Sequence, residues 1–262
     1  MAFKDLPNDS IVKTVLVATT LCLVCSVAVS AAAVYLRPAQ EANKLADLQR
    51  NIVRVADVPL EGRSVQEVFA EFEARLVDLE TGTFSDAKDP LEYDQRKASK
   101  DPAQAEVIPA SEDIADVKMR ERYSTVYLIR DAAGAVEKII LPVRGYGLWS
   151  TLWGYLALEG DADTVVGLSF YEHAETPGLG GEVDNPTWKA LWDGKEVYGE
   201  DGDVQIRLVK GGVDHSDPSN KHKMDALSGA TLTSNGVTNL LQYWMGENGY
   251  KPFLKNLREG KA

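Results

Sequence analysis

Charged residues are missing from Thr14 to Leu36, a run of about 23 residues bounded by Lys13 and Arg37. A helix of that length crosses the apolar core of a bilayer with some tilt, and Tyr35 stands where interfacial aromatics sit. From Gln40 to Val55 the spacing remains helical, with Leu45, Leu48, Ile52 and Val55 on one face. Ser64 and Glu67 have capping-box spacing and open a second predicted helix running through Leu79, with Val65, Val68, Phe69, Phe72 and Leu76 as its buried stripe. The periodicity then fails. Thr83 to Asp113 is charged and carries Pro and Ala, which reads as an irregular excursion over the surface.

Alternation with period two takes over at Ser124–Ile129, and Ala135–Val143 returns after the turn Asp131–Gly134. Trp153–Glu159 and Thr164–His173 form a second predicted hairpin around the acidic turn Gly160–Asp163. Asn185–Trp192 suits a short helix with Pro186 in its first turn. Val204–Lys210 is β-branched and alternating, Gly211–Lys223 is polar loop, Thr233–Met245 is a helix, and Pro252 starts a last one. Strands in successive hairpins with helices grouped at the ends predict an α+β fold with a largely antiparallel sheet and flanking helices, preceded by one N-terminal transmembrane helix.

The membrane reading has one rival, a cleaved signal peptide. Ser30-Ala31-Ala32 offers small residues for cleavage, but the apolar run exceeds the usual core of such a peptide. The small residues Ala28, Ser30, Ala31, Ala32 and Ala33 would let another helix approach closely. Lys4 and Lys13 on one side, against Arg37, Lys44 and Arg50 on the other, leave the orientation open by charge. Both cysteines, Cys22 and Cys25, fall inside the apolar run and read as small apolar residues there; a pairing with cysteines of a partner is the alternative. The net charge of −12 argues against a nucleic-acid partner but leaves room for a local phosphate site.

Chemistry concentrates in three short blocks. Ser228-Gly229-Ala230-Thr231-Leu232-Thr233-Ser234 is a turn opening a helix, with hydroxyls as cap candidates and the positive helix end suited to a phosphate. Thr233 has no base beside it in sequence, and an unassisted hydroxyl is a weak nucleophile. Asp225 either positions the loop or sits there as an ordinary turn carboxylate. In the second block, Glu175-Thr176-Pro177-Gly178-Leu179-Gly180 combines polar groups with backbone that can approach a flat ring, and Leu179 would cover its apolar edge. His173 just before it reads first as a structural residue, with a general base as the alternative. In the third, Gly145-Tyr146-Gly147-Leu148-Trp149-Ser150 offers the apolar walls of a ligand pocket. Lys210, at a strand end before Gly211 and Gly212, would supply positive charge or stand solvated. Nothing resembles a dinucleotide fingerprint, a P-loop or a zincin motif.

Asp225-Ala226-Leu227-Ser228-Gly229-Ala230-Thr231-Leu232-Thr233 resembles, at every fixed position, the motif of the FMN-binding domain that holds its flavin covalently. The second block is similar to the Glu-Thr-Pro-Gly-Leu-Gly segment of that domain. The third is similar to a stretch in one branch of the family, the C subunits of sodium-translocating NADH:quinone reductases. The resemblance covers essentially the whole chain. It implies FMN esterified through its phosphate to Thr233, with Asp225, Ser228, Gly229, Ala230, Thr231, Leu232, Glu175, Thr176, Leu179, Gly180, Tyr146, Gly147, Leu148, Trp149 and Lys210 around the cofactor. It also implies a flavin transferase in maturation, and a divalent metal that Asp225 would help place during transfer. It divides the chain into a cytoplasmic tail at 1–13, a transmembrane helix at 14–36 and an FMN-binding domain at 37–262 on the periplasmic side of a bacterial inner membrane. The implied role is one-electron relay between cofactors of the other membrane subunits, so that NADH:ubiquinone reduction and sodium transport belong to the complex. Three alternatives stand beside it: the equivalent subunit of an Rnf-type electron-transport complex, a cofactor-free anchored scaffold module, and an independent phosphate-ester hydrolase.

Overall fold

The structure, a computed structural model, describes Pro7 and residues 10–262. Most of the 1–13 tail, with Lys4, therefore lies outside the described residues. The chain divides into two compact units, Met1–Leu48 and Gln49–Ala262. Helix α1 spans Ile11–Val55, with Pro38 inside it. Among the described residues it is the one helix long and apolar enough to cross a membrane, by length and composition. Its apolar side chains are exposed from Ile11 to Leu36, and both cysteines are exposed and free. An apolar helix that no protein covers is what a membrane anchor looks like without its bilayer.

The second unit is built on six antiparallel strands. These are β1 (Glu73–Asp78), β2 (Thr83–Phe84), β5 (Tyr123–Arg130), β6 (Val136–Tyr146), β7 (Thr151–Glu159) and β8 (Val165–Glu172), in the order β2-β1-β5-β6-β7-β8. Period-two alternation sends Val126, Leu128, Ile139, Leu141, Leu156 and Leu158 to one face. There they pack with Val237, Leu240, Leu241 and Trp244 of helix α5 (Thr231–Trp244) and with Phe253 and Leu254 of α6 (Lys251–Arg258). On the opposite face, Tyr127 meets the ring of Phe69 from the short helix α2 (Val65–Phe69) at 5.7 Å. Lys138 Nζ donates to the Ala56 carbonyl at 2.8 Å, which ties the chain just past α1 to this face.

Helix α5 reaches the sheet through a close backbone approach. A Cβ on its Gly236 would stand 2.4 Å from the Tyr146 carbonyl oxygen, at the end of β6. Only glycine lets the helix lie so near that strand end. Trp244, at the helix's last residue, donates its indole N–H to the Arg144 carbonyl at 2.6 Å. The helix is thus held to the end of β6 at Gly236 and at its last residue, Trp244.

Several predicted elements change. The capping box is present, with the Ser64 side chain accepting from Glu67 N–H, but the helix it opens ends at Phe69. Glu73–Asp78 is strand β1, paired residue by residue with β5 from Glu73↔Leu128 to Asp78↔Tyr123. Leu76 and Val77 are adjacent and both buried, which a strand covered on two sides allows and a one-sided helix does not. The irregular stretch holds β2, a one-turn helix α3 (Gln95–Ala98) and β3 (Ala105–Val107), which pairs antiparallel with β4 (Met119–Glu121). A buried ion pair pins this excursion to the sheet, with Arg144 donating to Glu121 at 2.5 Å. The helix predicted at Asn185–Trp192 shortens to α4 (Pro186–Ala190), with Pro186 in its first turn as predicted and Asn185 as its cap. The strand predicted at Val204–Lys210 shortens to β9 (Arg207–Val209), which pairs parallel with β10 (Lys223–Asp225).

Candidate functional site

Helix α5 starts two residues earlier than the sequence pattern suggests. Its N-cap is Ala230, which has no side chain to cap with, so Thr233 is the third residue of the helix rather than its cap. The backbone N–H groups of a first turn lack helical partners and carry the positive end of the dipole. Ser234 is turned inward instead: its hydroxyl donates to the Ala230 carbonyl and accepts from Leu227 N–H, both at 2.9 Å. It locks the turn Leu227–Ala230 onto the helix. Thr233 is 0% exposed, and its hydroxyl donates to Glu175 Oε2 at 2.6 Å.

That bond joins two distant blocks. Glu175 lies just after β8, 58 positions from Thr233 in the chain, and is 5% exposed. Its other oxygen, Oε1, accepts the N–H groups of Leu148 at 3.0 Å, Trp149 at 2.9 Å and Ser150 at 3.4 Å. Successive N–H groups of this kind make an anion cradle, and the carboxylate fills it. Burial pushes the Glu175 carboxyl up, but the Thr233 hydroxyl and the three N–H donors outweigh it, and the group titrates below the usual carboxylate range. Glu175 N–H donates to His173 Nδ1 at 3.2 Å, which leaves the ring's proton on Nε2, facing Asp184 Oδ2 at 2.7 Å. His173 is therefore an orienting residue; it does not meet Thr233.

The three sequence blocks thus converge. A Cβ on Gly180 would stand 2.5 Å from Thr233 Oγ1, and one on Gly147 would stand 2.6 Å from Glu175 Oε1. Leu179 lies over Gly229, whose φ of +72° favours glycine; a Cβ there would stand 3.0 Å from Leu179 Cδ2. Around this buried centre the surface is apolar: Leu179 is 44% exposed, Leu232 58% and Trp149 64%, with Tyr146 and Leu148 also exposed. Thr176, Ser228 and Thr231 are exposed, and Ala230 is buried. Two further candidates stand at the ends of the parallel pair β9 and β10. The Asp225 carboxylate accepts Val213 N–H at 2.6 Å and faces His215 Nε2 at 3.0 Å, so it holds the 211–217 loop. Lys210 is exposed just past β9. The contact that sequence reasoning missed is Glu175 with Thr233. Its signal is there in part, a carboxylate in one block and an unassisted hydroxyl in another, but nothing in the order of residues joins them.

The residues fit a phosphate-bearing cofactor. A hydroxyl stands in an uncapped first helical turn, glycines keep side chains away from it, and exposed apolar groups surround it. That combination suits a flavin nucleotide. The family described as FMN-binding domain matches residues 147–246. The chain is 55% identical to the Na(+)-translocating NADH-quinone reductase C subunit of Pseudomonas aeruginosa, over 97% of this chain and 99% of that one. It is 48% identical to the C subunit of Vibrio alginolyticus, over 97% and 98%. A crystal structure of NqrC from Shewanella oneidensis is similar with a TM-score of 0.77 at 37% identity, covering 83% of this chain and 99% of that one. A crystal structure of the C subunit from Parabacteroides distasonis is similar with a TM-score of 0.62 at 28% identity, covering 84% and 96%. The chain belongs to the NqrC family, the C subunits of Na(+)-translocating NADH-quinone reductases.

Proposed function

We propose that this chain carries FMN joined through its phosphate to Thr233 Oγ1, and that it relays electrons between cofactors of partner subunits in the sodium-pumping complex. The observation that carries the reading is the placement of Thr233: its hydroxyl lies in the first turn of α5, between the 147–150 and 175–180 loops. Bound there, FMN supplies the redox chemistry, and the protein sets position and electrostatics. The positive helix end suits the phosphate, and Tyr146, Leu148, Trp149, Leu179 and Leu232 suit the ring. Their exposure leaves a ring edge near the surface, where electrons must leave for a partner. Helix α1 anchors the chain in the inner membrane, with the large domain on the periplasmic side. Asp225 acts at one remove, holding the loop beside the motif, and Lys210 contributes a positive charge from the strand end. Attachment needs a transferase, because free FMN has no leaving group on its phosphate.

The test is a denaturing gel viewed under ultraviolet light. A fluorescent band at the chain's mass, absent in Thr233→Ala, supports the reading; flavin retained by that variant sinks it. Copurification with a NADH-oxidising subunit, rather than a ferredoxin-oxidising one, separates the sodium pump from the Rnf-type alternative, and the relatives from Pseudomonas and Vibrio favour the first.

A further inference from the structure

We propose that Glu175 is the catalytic base of flavin attachment, accepting the Thr233 Oγ1 proton on its Oε2 as that oxygen attacks phosphorus. The inference rests on the reading of Thr233 as the attachment point. The co-reactant is a flavin dinucleotide presented by a transferase with a divalent cation. The Oγ1–P bond forms at the flavin-side phosphorus, and the P–O bond to the adenylate breaks. The bonding electron pair leaves with AMP, and the Oγ1 proton passes to Glu175. Nothing is oxidised or reduced.

Four observations support it. The acceptor oxygen is already hydrogen-bonded to the attacking one, at 2.6 Å, within the reach a general base requires. The carboxylate cannot swing freely, because Oε1 is fixed by the Leu148, Trp149 and Ser150 N–H groups and the backbone by His173. Other nearby groups are committed elsewhere: the Ser234 hydroxyl serves the turn, and His222 Nδ1 faces the Glu196 carbonyl at 2.9 Å. Among the described hydrogen bonds, Thr233 is the motif hydroxyl that reaches a carboxylate. Finally, the oxygen lies under Gly180, and the segment leading to it, Thr176–Leu179, is exposed, so the cover the donor displaces lies at the surface.

A carboxylate of low basicity suffices for this chemistry. The catalytic-loop aspartate of protein kinases likewise accepts the proton of a hydroxyl that attacks phosphorus. The transfer also removes a conflict. An ionised Glu175 would stand beside a new phosphodiester anion, and like charges in a buried site disfavour one another. The proton that Glu175 gains makes it neutral at that moment.

The experiment uses full-length flavin-free chain in detergent, a flavin transferase, FAD and magnesium, with the fluorescent band read against time. Glu175→Gln keeps the shape but turns an N–H toward Oγ1. Its labelling kcat is expected to fall about 10²–10⁴-fold with KM for the chain unchanged, the usual contribution of a general base. Glu175→Ala is expected to be equally slow and to recover in millimolar formate, while Glu175→Asp, which keeps a carboxylate, exceeds both without formate. Labelling of Glu175→Gln within threefold of wild type overturns the proposal. So does a loss confined to KM, failure of formate to accelerate Glu175→Ala, or an Asp variant no faster than Gln. Wild type that never labels, or Thr233→Ala that does, refutes the attachment reading itself.

Discussion

Glu121 and Glu175 are both buried carboxylates at the margin of the same sheet, and they are held in opposite ways. Glu121 is paired with a cation: Arg144 donates to it twice, at 2.5 and 3.3 Å, and Gln95 donates at 2.6 Å. Arg144 itself lies between the rings of Trp153 and Trp244, at 5.5 and 5.3 Å. Among the described residues no ion pair involves Glu175; its partners are three backbone N–H groups and one hydroxyl. A buried charge matched by a buried charge fixes geometry and leaves nothing to react. A buried charge held by dipoles alone, with a hydroxyl on its free oxygen, keeps one partner that can change. The first arrangement pins the long excursion to the sheet. The second belongs to the site.

The sharpest way to break the comparison is at Thr233. Thr233→Ala is expected to abolish the covalent flavin band completely, an all-or-none loss seen on a denaturing gel. The fold should survive at a cost of about 1–3 kcal/mol, because Glu175 Oε2 loses one donor while Oε1 keeps three. Next in size is Arg144→Ala, which leaves Glu121 charged and without its cation. It is expected to destabilise the second unit by about 3–5 kcal/mol in denaturant unfolding. Arg144→Met combined with Glu121→Leu should recover most of that, since a well-packed apolar pair replaces a buried ion pair at little cost. Neither variant should change which residue is labelled.

These two centres are not equally legible in the sequence. The helix after the motif, the two hairpins and the apolar anchor follow from local periodicity, and residues such as Leu128, Ile139, Leu156 and Leu240 are buried on the faces the pattern assigns. Glu73–Asp78 misleads because Phe69, Phe72 and Leu76 keep helical spacing, while pairing with β5 decides the outcome. Thr233 and the Glu175 block stand out through their resemblance to a family. The bond between them does not, because it joins positions 58 apart through a sheet end that neither block encodes. The Glu121–Arg144 pair is illegible for the same reason: two ordinary charges, far from any motif, gain meaning only when the excursion lies against β6 and β7.

A third test uses pH to separate the two carboxylates. Glu175 titrates below its ordinary value of 4.5 in the folded chain, because its hydrogen bonds outweigh burial. A depressed carboxyl contributes stability that is fully present above its unfolded pKa and is lost as pH falls through the folded value. The stability gap between wild type and Glu175→Gln is therefore expected to hold steady from pH 7 down to about 4.5 and to narrow below it. A gap that widens on acidification would show that the carboxyl is held neutral, and would remove the contrast with a group that changes its proton on demand.

The smallest expected effect lies at the rim. Trp149 is 64% exposed and Leu179 44%, so truncating either removes little buried surface from the flavin-free chain. Trp149→Ala and Leu179→Ala should each change its unfolding free energy by no more than about 0.5 kcal/mol, as surface substitutions do. In the loaded chain the same side chains would cover the ring. Attachment should proceed, because Thr233, Glu175 and the N–H groups of Leu148 and Ser150 stay in place, while the flavin absorption envelope and redox midpoint shift from wild type. The pairing of results is what matters: an unchanged flavin-free fold with a changed flavin assigns these residues to the cofactor. Loss of stability in the flavin-free chain would make them part of the fold instead. An unchanged spectrum and midpoint would place the ring elsewhere on this surface and leave only the phosphate end at the 147–150 and 175–180 loops.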